Sequence, residues 1–142
     1  MEQLDNIVFY SIDKAIRTYR QFAQTQLKKN GFEMTVDQWI VMKCILLNPE
    51  ITQQEIAERV FKDNASVTRI ITLLVKAKYL SRKTMPSNRR RVILKVTPFG
   101  LETLNGMEQI ILQNRAKALN EITNEEIELV KTIMGKIAHN CH

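Results

Sequence analysis

The 142-residue chain is 44% hydrophobic, the size of one ordinary domain with its own core, and four glycines and three prolines favour long helices over an all-strand architecture. No apolar run approaches the roughly 20 residues that cross a bilayer, and the N-terminal MEQLDN carries acids where a secretion signal carries basic residues, which points to a cytoplasmic protein. The net charge of +6 is concentrated: ten basic residues and one acid from Lys62 to Lys95 put +9 there and leave −3 elsewhere, as expected of one polyanion-binding surface.

In chain order, Leu4, Ile7, Val8, Ser11, Ile12, Ala15, Ile16, Tyr19, Phe22, Ala23 and Leu27 recur at helical spacing and predict a first helix over about 4–29, ended by Gly31. Thr35-Val36-Asp37-Gln38 has the capping-box form, in which the threonine side chain accepts from a free amide and the glutamine covers the cap's own amide. A second helix follows with Trp39, Ile40, Met42, Ile45 and Leu46, and stops near Asn48-Pro49. Thr52-Gln53-Gln54-Glu55 repeats the signature and opens a short third helix with Ile56, Ala57 and Val60 inward.

Asp63 or Asn64 caps a fourth helix. Val67, Ile70, Ile71 and Leu74 form its inner face, while Ala65, Arg69, Thr72 and Lys76 point outward, with Ser66 and Thr68 on the flanks. Small hydroxyl side chains with one arginine, one lysine and no acid suit a helix that enters a major groove, and equally suit a solvated face.

Leu80 to Met85 and Val92 to Val96 read as two strands joined by a Pro86 to Arg91 loop that carries Arg89, Arg90 and Arg91. Thr97-Pro98 starts a long helix through Leu101, Leu104, Ile111, Leu112 and Leu119. After a third capping box, Thr123-Asn124-Glu125-Glu126, a last helix sets Ile127, Val130, Met134, Ile137 and Cys141 in a seam at three- and four-residue steps.

The expected architecture is mainly α with a small β-hairpin wing: a winged helix-turn-helix over about 35–97 within a single 1–142 domain, flanked by long helices at about 4–29 and 99–141. Those terminal helices carry apolar stripes that a unit of this size can hardly cover. A homodimer is therefore expected, with Leu4, Val8, Ile127, Val130, Met134 and Ile137 at its interface.

The order of elements, with ASVTRIITLLVKAKYLSRK followed by NRRRVILKVTPFG, resembles the MarR family of bacterial winged-helix transcription regulators. Val67-Thr68-Arg69 match the recognition-helix motif, with Ser66 near its usual serine or threonine. Leu74 and Arg82 match the segment that follows, and Arg90, Val96-Thr97 and Gly100 match the wing and its exit. The resemblance implies that the helix from Asp63 to Lys76 reads the major groove of double-stranded DNA while the loop around Arg89 to Arg91 reaches the neighbouring minor groove, with Arg90 the residue that inserts. The DNA-binding set is then Lys62, Asn64, Ser66, Thr68, Arg69, Thr72, Lys76, Lys83, Arg89, Arg90 and Arg91. It also implies repression from a palindromic operator, relieved by a small aromatic effector. Two departures stand out: Asn88 replaces the family's wing aspartate, and Lys78 replaces a glycine where positive φ is expected, at a cost of about 1 kcal/mol.

Other chemistry finds little support. Cys44 lies in an apolar run and reads as a small buried hydrophobe, and two cysteines make no disulfide framework. His139, Cys141 and His142 fall short of the four ligands of a structural zinc site. No phosphate loop, no H-E-x-x-H and no histidine in the body of the chain suggest an enzyme, and no metal, cofactor or membrane is expected. Tyr10, Tyr19, Phe22, Phe32 and Trp39 either line an effector cavity or pack the core. The alternative function is a winged-helix module whose basic wing binds an acidic protein partner.

Overall fold

Threonine and aspartate caps set the helix boundaries in the structure, a computed structural model that describes residues 1–85 and 87–142, the side chains of 88–91 excepted. The helices are α1 (Val8–Lys29), α2 (Val36–Leu47), α3 (Gln53–Val60), α4 (Asn64–Lys76), α5 (Pro98–Ala118) and α6 (Asn124–Asn140), with the hairpin strands β1 (Leu80–Met85) and β2 (Asn88–Val96) between α4 and α5. All three predicted capping boxes form. At Thr35, for example, the Gln38 N–H donates to the threonine hydroxyl at 3.1 Å and Gln38 Oε1 accepts from the Thr35 N–H at 3.0 Å. Asp63 caps α4, accepting from the Ser66 N–H at 2.7 Å, and the Thr97 hydroxyl accepts from the Gly100 N–H at 2.9 Å to start α5.

Two predicted boundaries are corrected. The first helix begins at Val8, because Leu4–Asn6 forms a 3₁₀ turn and Ile7 is extended at φ −92°, ψ 117°. Asp5 and Asn6, whose short polar side chains compete with helical backbone bonding, sit at that break. The second strand begins at Asn88 rather than Val92, so the arginines predicted to occupy a loop lie on β2. Pairing runs regularly from Leu80 opposite Val96 to Thr84 opposite Val92, then slips so that Met85 faces Asn88. Only two residues separate Met85 from Asn88, so the turn is short, and the slip leaves 89–91 without counterparts on β1. Pro86 and the side chains of Asn88, Arg89, Arg90 and Arg91 lie outside the described residues, as does the predicted insertion of Arg90.

The core is centred on α2, whose Val41, Met42 and Ile45 pack with Ile56, Ala57 and Val60 of α3 and with Val67, Ile71 and Leu74 of α4. Leu80 closes it from the hairpin, and Leu104, Met107 and Ile111 of α5 join Leu27 of α1 to extend it. This packing fixes which face of α4 remains outside. Lys78 takes the left-handed conformation at φ 68°, as its position predicts, and lets the chain turn from α4 into β1. The Thr97 hydroxyl donates back to the Lys78 carbonyl at 2.6 Å, tying that turn to the start of α5. Tyr79 stacks on Phe99 at 5.2 Å across the same junction.

Outside the core the terminal segments expose large apolar side chains: Leu4, Val8, Phe9 and Ile16 at one end, Leu129, Val130 and Ile133 at the other. None of the described residues of α6 is buried. Ile127, Met134 and Ile137, from the predicted seam, are half-buried. No helix of the described residues is long and apolar enough to cross a membrane.

Candidate nucleic-acid interface

Helix α4 turns Val67, Ile71 and Leu74 into the core, so its opposite face is fixed by the 100° step per residue. Ala65, Thr68, Arg69, Thr72 and Lys76 are exposed there and Ser66 is half-buried. Lys83 is exposed on β1, which packs beside α4. The β1 side chain that reaches α4 is Arg82, one residue before Lys83. Asn64 begins α4 and its carbonyl accepts from the Thr68 hydroxyl at 2.9 Å.

Hydrogen bonding within this surface is denser than composition alone suggests. Besides donating to Asn64, the Thr68 hydroxyl accepts from Gln53 Nε2 at 2.6 Å, which ties α3 to α4. Arg69 donates to Ser66 Oγ at 3.2 Å and Arg82 donates to Thr72 Oγ1 at 3.2 Å. Asp63, the one acid of the basic block, holds its carboxyl below the usual range because the Ser66 backbone N–H and side chain bond to it. Lys62 has a partner within the protein: its Nζ lies 3.4 Å from Asp37 of α2, whose other oxygen accepts from Arg20 of α1 at 3.3 Å. Before Lys62 can neutralise a phosphate it must leave that carboxylate.

Sequence reasoning passed over three residues of this region. Gln53 was assigned only to a capping box and Arg82 only to a motif match, yet each braces a hydroxyl of α4. Leu73 is exposed on the outer half of α4, and the helical wheel that assigned its neighbours could have found it. Gln53, Thr68 and Arg82 also line a cleft between α3, α4 and the hairpin, together with Glu50 and Thr52 and with the apolar Ile51, Ile71 and Leu94.

The aromatic set divides. Tyr10, Tyr19 and Phe22 line a cleft of about 640 Å³ along α1 with Lys14 and with Lys117 of α5, whose ammonium lies 5.0 Å from the Phe22 ring centre. Phe32 and Trp39 do not line it; they pack against the core, Phe32 beside Gly106. Cys44 is half-buried against the core, and burial pushes its thiol pKa up, which favours the unreactive protonated form.

The MarR family model matches residues 34–92, from just before α2 into β2. That stretch of the chain is similar to the winged helix of the MarR family. Solved structures share that fold over nearly the whole length. A MarR/EmrR family transcriptional regulator from Acinetobacter superposes with a TM-score of 0.86 at 16% identity, covering 99% of this chain and 98% of its own. BpsR of Bordetella bronchiseptica, whose DNA binding is regulated by 6-hydroxynicotinic acid, gives 0.85 at 17% identity with 97% of each chain covered. A cysteine-to-serine mutant of MarR from E. coli, complexed with operator DNA, gives 0.80 at 20% identity and 89% of each. Within the MarR-family frame the hairpin is the wing and α4 the second helix of the helix-turn-helix. The Lys78 substitution is accommodated by a left-handed lysine, and Asn88 begins the second wing strand.

Proposed function

We propose that this MarR-family regulator is a homodimeric, sequence-specific DNA-binding repressor. The observation that carries the proposal is the outer face of α4, where Arg69, Thr72 and Lys76 are exposed on a helix without a single acid. A slim cationic helix with hydrogen-bonding side chains meets both the steric and the electrostatic demands of a major groove. Arg69 is assigned to base edges, Ser66, Thr68 and Thr72 to bases and adjacent phosphates, and Lys62, Asn64, Lys76 and Lys83 to the backbone. Arg89, Arg90 and Arg91 of the wing strand bring positive charge to the flanking minor groove, whose narrow A·T tracts attract arginine.

The dimer reading rests on the apolar side chains that α1 and α6 expose; Leu4, Val8, Ile127, Val130, Met134 and Ile137 form its interface. Two α4 helices related by a two-fold axis then address successive major grooves about 34 Å apart, and the operator is an imperfect palindrome. The cleft lined by Tyr10, Tyr19, Phe22, Lys14, Lys117 and Asp5 suits a small aromatic anion: rings for stacking and two ammonium groups that outnumber the one carboxylate. An effector that binds better to a different spacing of the two helices weakens DNA binding by that difference in affinity. Regulation of BpsR by an aromatic acid and the operator complex of E. coli MarR support the same reading.

Selection of bound sequences from a random duplex pool tests it. A palindromic consensus with half-sites one helical turn apart is the expected result. Recovery of no consensus, or of an unpaired half-site, contradicts the proposal.

A further inference from the structure

The surface that α4 leaves open differs chemically from the one its composition promises. Its hydroxyls are engaged: Thr68 with Asn64 and Gln53, Ser66 with Arg69, and Thr72 with Arg82. Thr68 and Thr72 lie on the edge that leans toward α3 and the wing. On the other side of Arg69 the helix presents Leu73, 54% exposed, followed one turn later by exposed Ala77. At 100° per residue Leu73 stands about 50° from the outermost line between Arg69 and Lys76, far enough out to meet a base edge. A single surface leucine needs no explanation in general. This one occupies the face of a cationic helix that has no acid along its length, immediately beside its arginine.

In the major groove, one base presents an apolar group, the C5-methyl of thymine. We propose that Leu73 is a specificity-determining residue that packs on a thymine methyl, so that each operator half-site carries an A·T pair, in one orientation, next to the base contacted by Arg69. The assignment rests on the DNA-binding reading of α4 and adds to it the base class under one residue. Because the flanking hydroxyls already hold partners within the protein, apolar contact at Leu73 adds discrimination to what their remaining bonding capacity supplies.

The test uses the full chain and the operator obtained by selection. Each thymine of a half-site is replaced in turn by deoxyuridine, which keeps the base pair and removes only the methyl, and binding is measured for the native protein, Leu73→Ala and Leu73→Met. One replacement should weaken the native protein about fourfold per half-site, the effect of losing one buried methyl-sized group. The same replacement should leave Leu73→Ala unchanged and should still weaken Leu73→Met, which keeps an apolar side chain. If a consensus exists but no replacement affects the native protein, or if native and Leu73→Ala lose equally at every thymine, the Leu73 assignment fails alone. A selection without consensus removes the DNA reading and this assignment together.

Discussion

At the residue scale, similar exposure conceals different tasks. Arg69 is exposed and pairs only with the neutral Ser66 among the described residues, so its remaining donors are available for a base. Arg69→Ala is expected to cost roughly 1–3 kcal/mol on the selected operator and less on random duplex, measured by fluorescence anisotropy. Equal losses on both would make it a phosphate anchor. Gly100 is constrained by space: a Cβ there would run into the Tyr79 carbonyl oxygen and lie 3.0 Å from Met42 Cε. Since backbone cannot move aside, Gly100→Ala should lower stability by about 1–3 kcal/mol in urea denaturation. Asp63 adds a pH dependence. Its folded pKa is depressed by the Ser66 hydrogen bonds, so its contribution is present above the ordinary carboxylate pKa of about 3.9 and is lost as pH falls through the lowered folded value. Asp63→Asn keeps a capping oxygen without the charge. The stability advantage of native protein over this variant should therefore shrink between about pH 5 and pH 2 in urea titrations, and an unchanged difference would contradict the assignment.

At the scale of elements, the helix-turn-helix is held to its neighbours by polar side chains at its edges as well as by its core. Gln53 joins α3 to α4, Arg82 joins the wing to α4, and Asp37 joins α2 to both α1 and the α3–α4 turn through Arg20 and Lys62. The Asp37 pairs are partly exposed, so each contributes little to stability. Under the proposed DNA binding their electrostatic effect is larger, because Asp37 offsets the charge of Lys62 at the turn. Asp37→Asn should strengthen binding to random duplex at low salt and steepen the slope of log K against log salt by up to about 0.9 per subunit. An unchanged slope would mean that Lys62 never reaches phosphate.

At the scale of the whole molecule, the core and the terminal helices have opposite surfaces. Val41, Met42 and Ile45 of α2 are enclosed, while Val8, Phe9 and Ile16 of α1 and Leu129, Val130 and Ile133 of α6 are exposed, which supports the proposed dimer interface. Val130 is 53% exposed on α6 and belongs to the predicted seam. Val130→Asp should convert the protein to a monomer in sedimentation at about micromolar concentration. With the second half-site no longer held nearby, operator affinity should fall by on the order of 10²–10⁴-fold while the thermal unfolding of the winged helix changes little. A dimer that persists in this variant would place the interface elsewhere.

What the sequence determined by itself is what depends on neighbours within one turn of chain. The caps at Thr35, Thr52, Asp63, Thr97 and Thr123 were legible because each bonds a residue three places on. The strand Leu80–Met85 and the inner face of α4 were legible through equally local periodicities, and the left-handed turn at Lys78 through the family resemblance. Tertiary structure decided the rest. It moved the arginines from a loop onto a slipped strand, and it divided the aromatics between cleft and core. It also engaged hydroxyls that composition had left free, through partners such as Gln53 and Arg82 that stand 15 and 10 residues from the groups they bond. The physical reason is common to all three: a side chain's remaining donors, acceptors and apolar surface are set by what folds against it, and that contact crosses elements no local pattern connects.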